Sequence, residues 1–260
     1  MIGWLTCIVG GYLVGSIPFG VIIGRAKGID IREHGSKNIG ATNVIRVLGR
    51  RLGILCFFLD VSKGALPVVI GGVVNDVINR PAAMLHQQQM WLWLAVACAA
   101  IFGHMYSPFL KWRGGKGVAT GFGAMAAMWP LLTLAALGAM IVWYGTLRLT
   151  RYVSVASMLA AASMPVGYLL SVLPNDALEM PLAHSLDAVV HGSPPVLVTT
   201  AMALLVVYKH RSNIARLRRG LEPKVPRPRP PGRYAVGFAT STAQDQHVSS
   251  NAHKDPLDHP

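Results

Sequence analysis

Charge is what this 260-residue sequence has least of: Asp, Glu, Lys and Arg make up 13% of it, against 52% hydrophobic residues. The apolar residues come in long uninterrupted runs, which excludes an ordinary soluble domain and places the chain among integral membrane proteins. Cysteine is nearly absent too. Cys7, Cys56 and Cys98 lie inside apolar runs with no Cys-x-x-Cys spacing, which excludes a disulfide framework and a thiolate metal site and leaves buried free thiols. The first apolar run lacks a basic leader and a small-residue cleavage site, so it reads as a retained span and not as a secretory signal.

Acidic residues number 11 against 24 basic ones, a net charge of +13. In a soluble protein that excess suggests nucleic acid. Here the positive residues cluster between apolar runs, the pattern that orients a membrane protein, and nucleic acid is not expected as a partner.

The runs define an expected topology. Met1 to Gly24 is long enough as a helix, roughly 36 Å, to cross a hydrocarbon core of about 30 Å, with a kink at Pro18. The next loop carries Arg25, Lys27, Arg32, Lys37, Arg46, Arg50 and Arg51 against Asp30 and Glu33, which puts it in the cytoplasm and the N-terminus outside. Leu52 to Val74 is the second span, and Asp60 and Lys63 share one of its faces. Charges in a span point to function, with a self-neutralising pair that ties helices together as the plainer alternative. Met90 to Phe109 is the third span, broken near its inner end by Gly103, His104 and Pro108.

From Gly117 to Leu147 the apolar run is too long for one crossing, about 46 Å as a single helix. A hairpin at Trp129-Pro130, with a short first arm, returns Arg148 and Arg151 to the cytoplasm. Tyr152 to Leu173 is the sixth span. The loop from Pro174 to Pro194 holds Asp176, Glu179 and Asp187 with no Lys or Arg, as an outer loop should, and Pro195 to Tyr208 is the seventh span. The expected fold class is an all-α polytopic membrane protein with about seven transmembrane helices, its N-terminus outside and its C-terminus cytoplasmic. Residues 1–221 form the membrane domain. Residues 222–260, rich in proline and then in Ser, Thr, Gln, Asp and His, are expected to be a disordered tail near anionic lipid, attracted by Lys224, Arg227 and Arg229.

This topology gathers three polar stretches on the cytoplasmic face: Gly35 to Arg46, Gly114 to Thr120, and His210 to Glu222. The first packs Ser36, Lys37, Asn38, Thr42, Asn43 and Arg46 between two apolar runs. Glycines let backbone N–H groups turn to one point, Ser and Asn add neutral donors, and Arg grips a phosphate bidentately. The plainer alternative is a connecting loop whose polar residues cap the next helix. The second stretch, around Lys116, is not an ATP-binding P-loop, because Gly117 follows the lysine where Ser or Thr is required and the context is helical. Tight helix packing accounts for its glycines but not for its lysine. None of the three offers a carboxylate dyad or a metal cluster, so together they look like a site for phosphate. His34, His104 and His210 lie near it; Asn213 beside His210 favours function there, and His104 is left undecided. His253 with Asp258 has the spacing of a different acyltransferase class but lies in the tail, where no core orients it.

The residues also carry a family resemblance. Gly15-Ser16-Ile17-Pro18, the Gly35 to Arg46 stretch, Asp60 with Lys63-Gly64, Gly103-His104, Gly114 to Thr120, and His210-Arg-x-Asn213-Ile-x-Arg216-Leu resemble the bacterial acyl-phosphate-dependent glycerol-3-phosphate acyltransferase family. The match spans residues 1 to about 222, with three separated motifs in order. It departs at Lys37, where the family has Gly between the Ser and the Asn, and in a tail longer than the family requires.

The resemblance implies a seven-helix inner-membrane enzyme that moves an acyl chain from acyl phosphate to the 1-hydroxyl of glycerol 3-phosphate at a cytoplasmic site. Its products are lysophosphatidic acid and phosphate, and it uses no thioester donor. It implies catalytic roles for Ser36, Arg46, Lys116 and His210, and substrate-binding roles for Asn38, Thr42, Asn43, Gly114, Gly115, Gly117, Ser154, Asn213 and Arg216. The base is left between His210 and a substrate phosphate. No cofactor or metal is expected; the partners are the two substrates and membrane lipid, and the sequence carries no signal for an oligomeric state. Two other readings compete, a small multi-span transporter suggested by Asp60 and Lys63, and a structural membrane-interaction protein. The halves show no repeat, and the polar motifs gather on one face when a pathway would need them at mid-membrane.

Overall fold

The first apolar run does not form one helix. In the computed structural model, which describes residues 1–172, 190 and 192–225, α1 (Ile2–Gly15) ends and α2 (Phe19–Arg25) starts afresh after Pro18. Proline lacks an N–H and its ring collides with the carbonyl four residues back, so a kink expected from sequence becomes a break. The freed carbonyls are satisfied from elsewhere in the chain. The Ser107 hydroxyl donates to the Ser16 carbonyl at 2.7 Å, and the Lys63 ammonium donates to the Ile17 carbonyl at 2.7 Å. Irregular backbone at membrane depth persists where protein groups supply such partners.

After the first polar loop come α3 (Ala41–Leu48) and α4 (Arg50–Val74), joined at Gly49, whose φ of 90° only glycine adopts without strain. α5 (Gln87–Met105) begins in a capping box between His86 and Gln89. Its expected break is displaced: Gly103 and His104 remain helical, and the chain leaves the helix at Tyr106 and Ser107, ahead of a 3₁₀ turn over Pro108–Leu110. The residue before a proline avoids the helical region, so Pro108 acts upstream of itself. α6 (Val118–Ala126) and α7 (Thr133–Thr150) form the expected hairpin around Trp129 and Pro130. α8 (Val153–Val172), α9 (Ser193–Lys209) and the short α10 (Arg211–Arg218) complete the described helices, among which no strand occurs.

Glycines set the closest helix contacts. A Cβ at Gly15 would lie 2.1 Å from the Ala100 carbonyl, and one at Gly103 2.2 Å from that of Tyr12, so α1 and α5 touch backbone to backbone. Gly64 and Gly123 do the same for α4 and α6. Around these contacts Met90, Trp93, Leu94, Met105, Met128 and Leu132 fill one core, and the Trp93 indole donates to the Val68 carbonyl at 2.9 Å. A second, smaller core of Ile31, Ile39, Val44 and Cys56 lies under the first polar loop. The three cysteines are free thiols; Cys56 is buried and Cys7 and Cys98 are half-buried.

Five helical segments are long and apolar enough to cross a membrane: Ile2–Arg25, Arg50–Val74, Gln87–Leu110, Thr133–Thr150 and Val153–Val172. α6, with 9 residues, and α9, with 17, are shorter. The compact unit runs from Met1 to Val225, past the boundary expected at 221. The acidic residues 176, 179 and 187, the tail from 226 with Arg227 and Arg229, and His253 with Asp258 lie outside the described residues.

Candidate active site

The first polar loop is built on Asn43. Its carboxamide accepts the Ser36 N–H at 2.8 Å and donates to the carbonyls of Asn38 at 2.9 Å and of Ile31 and His34 at 3.1 Å, while the side chain is 1% exposed. A buried amide whose two N–H donors are both spent on the loop's own carbonyls organises the loop and has no donor left for a ligand. Asn38 accepts the Gly40 N–H at 2.9 Å in an Asx turn that leads into α3. The first N–H groups of that helix, on Ala41 and Thr42, have no intrahelical acceptor. They open onto a cavity of about 260 Å³, whose wall also includes Ser36, Asn38 and Arg46.

Gly114 and Gly115 lie flat against the end of α5. Their N–H groups donate to Met105 at 3.2 Å and His104 at 3.0 Å, and a Cβ on either would stand about 2 Å from an atom of His104. They are absent from the cavity wall, so close approach, and not ligand binding, accounts for them. Gly117, at φ 78°, turns the chain into α6, whose N-terminal residues Val118 and Ala119 line the same cavity. Two helix N-termini therefore converge on one space, an arrangement that favours an anion.

Lys116, between them, donates to the Asn213 carboxamide oxygen from the third stretch. Asn213 in turn donates to Glu222 Oε1 at 2.6 Å. Glu222 also accepts from the Ser154 hydroxyl at 2.8 Å and from Arg216 Nε at 2.8 Å. Val225 fastens this segment to the α7–α8 turn, its carbonyl accepting both Arg151 Nε and Nη2 at 2.9 and 2.8 Å. The His210 Nδ1 lies 2.8 Å from the Val206 carbonyl; a carbonyl only accepts, so Nδ1 carries the proton and Nε2 the lone pair.

The electrostatics follow from this crowding. Burial pushes the Lys116 ammonium down to about 8; Glu222 opposes that shift, and Arg216 and Arg46 reinforce it. Burial and the nearby Lys116 charge push His210 down to about 4, so its ring is neutral at physiological pH. Burial raises the Glu222 carboxyl, but hydrogen bonds from Asn213, Ser154 and Arg216 outweigh it and leave the group ionised, below its usual value. Arg46 is exposed at the cavity wall and makes no hydrogen bond or ion pair among the described residues.

Of the residues expected from sequence, the structure brings Ser36, Asn38, Thr42, Asn43, Arg46, Lys116, Gly117, Ser154, His210, Asn213 and Arg216 to this cavity. Lys37 lies outside it, exposed, with a φ of 59°. Sequence reasoning set Glu222 at the end of the third polar stretch and the start of the tail but gave it no role, because a lone acid before Pro223 carries no periodic signal. It also left His104 undecided, and both His104 and Asp60 stand in the cavity wall. Beyond the polar end the cavity continues between α5, α6, α8 and α9, lined by Ile101, Phe122, Met125, Met164 and Met202.

Fold and site together define a helical protein with membrane-spanning segments and a basic, polar chamber that opens into an apolar one. Residues 5–220 match the family model described as glycerol-3-phosphate acyltransferase. A glycerol-3-phosphate acyltransferase of Geotalea daltonii is 41% identical over 84% of this chain and 95% of the relative, and one of Acholeplasma laidlawii is 37% identical over 85% and 92%. The crystal structure of PlsY (YgiH), an integral membrane glycerol 3-phosphate acyltransferase, in its glycerol 3-phosphate form, aligns with a TM-score of 0.69 and 34% identity. That alignment covers 86% of this chain and 96% of that one. Its lysophosphatidic acid form aligns with a TM-score of 0.68 over 86% and 95%. The chain belongs to the glycerol-3-phosphate acyltransferase family and is a multi-pass membrane protein.

Proposed function

We propose that the protein transfers the acyl chain of an acyl phosphate to the 1-hydroxyl of glycerol 3-phosphate, releasing lysophosphatidic acid and inorganic phosphate. The observation that carries this reading is the meeting of two helix N-termini and three cationic side chains, Arg46, Lys116 and Arg216, at the mouth of an apolar cavity. Such a space holds phosphate at one end and a hydrocarbon chain at the other. An acyl phosphate is already activated, so positioning and charge stabilisation suffice, and no covalent enzyme intermediate or cofactor is needed.

The glycerol hydroxyl attacks the acyl carbonyl carbon, the bond from that carbon to the phosphate oxygen breaks, and phosphate leaves with the electron pair. Lys116 and Arg46 face the charge that develops on the carbonyl and phosphate oxygens, with Ser36, Asn38 and the α3 and α6 N-termini adding neutral donors. The hydroxyl proton passes to the lone pair on His210 Nε2 or to a substrate phosphate. Asn213, Ser154 and Arg216, locked on Glu222, fix where Lys116 points.

In the topology that accompanies this reading, α6 and α9 also cross the membrane, giving seven spans with the N-terminus outside. The three motifs then face the cytoplasm from an inner membrane. Its support is the excess of Lys and Arg in the loops that carry the motifs. The test is lysophosphatidic acid formation by purified protein given glycerol 3-phosphate and palmitoyl phosphate, with palmitoyl thioesters in parallel. Product from acyl phosphate alone is expected; product from thioesters alone, or from no donor, contradicts the reading.

A further inference from the structure

Asp60, Lys63 and His104 form a buried polar cluster for which the proposed reaction has no task. The Lys63 ammonium lies 2.8 Å from Asp60 Oδ1, donates to the Ile17 carbonyl freed by the Pro18 break, and sits 5.6 Å from the centre of the Phe19 ring. Asp60 Oδ1 in turn faces His104 Nδ1 at 3.8 Å, too long for a hydrogen bond but close enough for its charge to orient an N–H dipole. His104 is 4% exposed and Nδ1 has no hydrogen-bond partner. The other side of the ring supports the second motif: a Cβ on Gly115 would stand 2.1 Å from Nε2, and the Gly115 N–H donates to the His104 carbonyl. The next residue is Lys116.

We propose that His104, oriented by Asp60, is a positioning residue for Lys116. The imidazole is the surface on which Gly115 rests, beside Gly114 on the His104 backbone, so its height and tilt set where the Lys116 ammonium points. The Asp60–Lys63 pair anchors that surface to the break between α1 and α2. A pair that merely tied helices together would need no imidazole and no place in the cavity wall, whereas both Asp60 and His104 line it. Misplacement of a charge-stabilising group by about 1 Å costs on the order of 100-fold in rate, which is the scale on which this support acts.

The inference rests on the acyl-transfer reading, and a double-mutant cycle separates the two. In wild-type background, Asp60→Asn and His104→Gln are each expected to lower kcat by about 30- to 100-fold with the KM for glycerol 3-phosphate changed less than about threefold. In a Lys116→Ala background each should cost less than about threefold more, because the group they position is gone. Equal fold losses in both backgrounds overturn the proposal while leaving the reaction intact. A wild-type protein that makes no lysophosphatidic acid instead overturns the reading beneath it. Should the single variants unfold, Asp60→Asn combined with Lys63→Met removes both buried charges at similar volume, a change that folded proteins often tolerate. A persistently low kcat in that folded variant supports positioning, and a return to the wild-type kcat shows that the pair is a tie only.

Discussion

The charge on Lys116 is the feature of the site most exposed to a simple perturbation, pH. Burial among Arg46 and Arg216 lowers its pKa to about 8. The sign is direct: a lysine is charged below its pKa, so a depressed value means that the charge disappears as pH rises through about 8, where an ordinary lysine would keep it. At about pH 9 only about a tenth of the free enzyme carries the Lys116 charge, against nearly all of it for an unperturbed lysine. Because kcat/KM reports the free enzyme, it should fall about tenfold between about pH 7 and about pH 9. The fall in kcat should be smaller, since a bound phosphate dianion holds the proton on the lysine. Lys116→Arg keeps a positive charge throughout that range and should give a lower but flat profile. Lys116→Ala should lose at least ~100-fold at every pH. The assay is lysophosphatidic acid formed from labelled glycerol 3-phosphate at subsaturating concentration across a buffer series. A wild-type kcat/KM that stays flat to about pH 9, or a falling limb that survives in Lys116→Arg, would refute the reasoning.

Three further outcomes are expected. Glu222→Ala leaves the Ser154 and Asn213 donors, 3% and 6% exposed, and the half-buried Arg216 without their acceptor. It should therefore destabilise the protein by on the order of 2–4 kcal/mol and lower turnover, with Glu222→Gln intermediate; a melting temperature in detergent unchanged from wild type would count against the clasp. Lys37→Gly relieves a left-handed backbone position that costs about 1–2 kcal/mol for a residue with a Cβ, less about 0.5–1 kcal/mol of added chain entropy, so a small stabilisation without loss of activity is expected. Destabilisation there would mean that the lysine side chain makes up for its backbone. Asp76→Cys, in a chain lacking the three native cysteines, should react with an impermeant thiol reagent from outside intact cells, because residue 76 is exposed and the proposed topology, with the N-terminus outside, puts the loop after α4 outside as well. Labelling only after the cells are opened would invert the proposed topology.

Three of the spans were legible because hydrocarbon demands length and apolarity, and both can be counted along a chain: α4, α7 and α8 fall within a few residues of their expected limits. The three motifs were legible for a related reason, since polar residues clustered between apolar runs need an explanation. What a chain read in one dimension could not supply was the purpose of each polar residue or glycine. Asn43 looks like a ligand donor and is spent inside its own loop. Gly114 and Gly115 look like a phosphate cradle and are small because His104 lies against them. Glu222 looks like the start of a tail and is the acceptor that joins Ser154, Asn213 and Arg216, residues separated by as many as 62 positions in the sequence yet adjacent only after folding. The departure at Lys37 coincides with a left-handed φ, the conformation in which the family's glycine carries no strain. That coincidence appears only once the backbone is known.

The most direct test of the account is a count of inorganic phosphate against lysophosphatidic acid in a single reaction of purified protein with acyl phosphate and glycerol 3-phosphate, run for wild type and Lys116→Ala together. One phosphate per lysophosphatidic acid, with both falling in parallel in the variant, is the predicted result. Phosphate released without acylated product, or product that survives the loss of Lys116 undiminished, would contradict it.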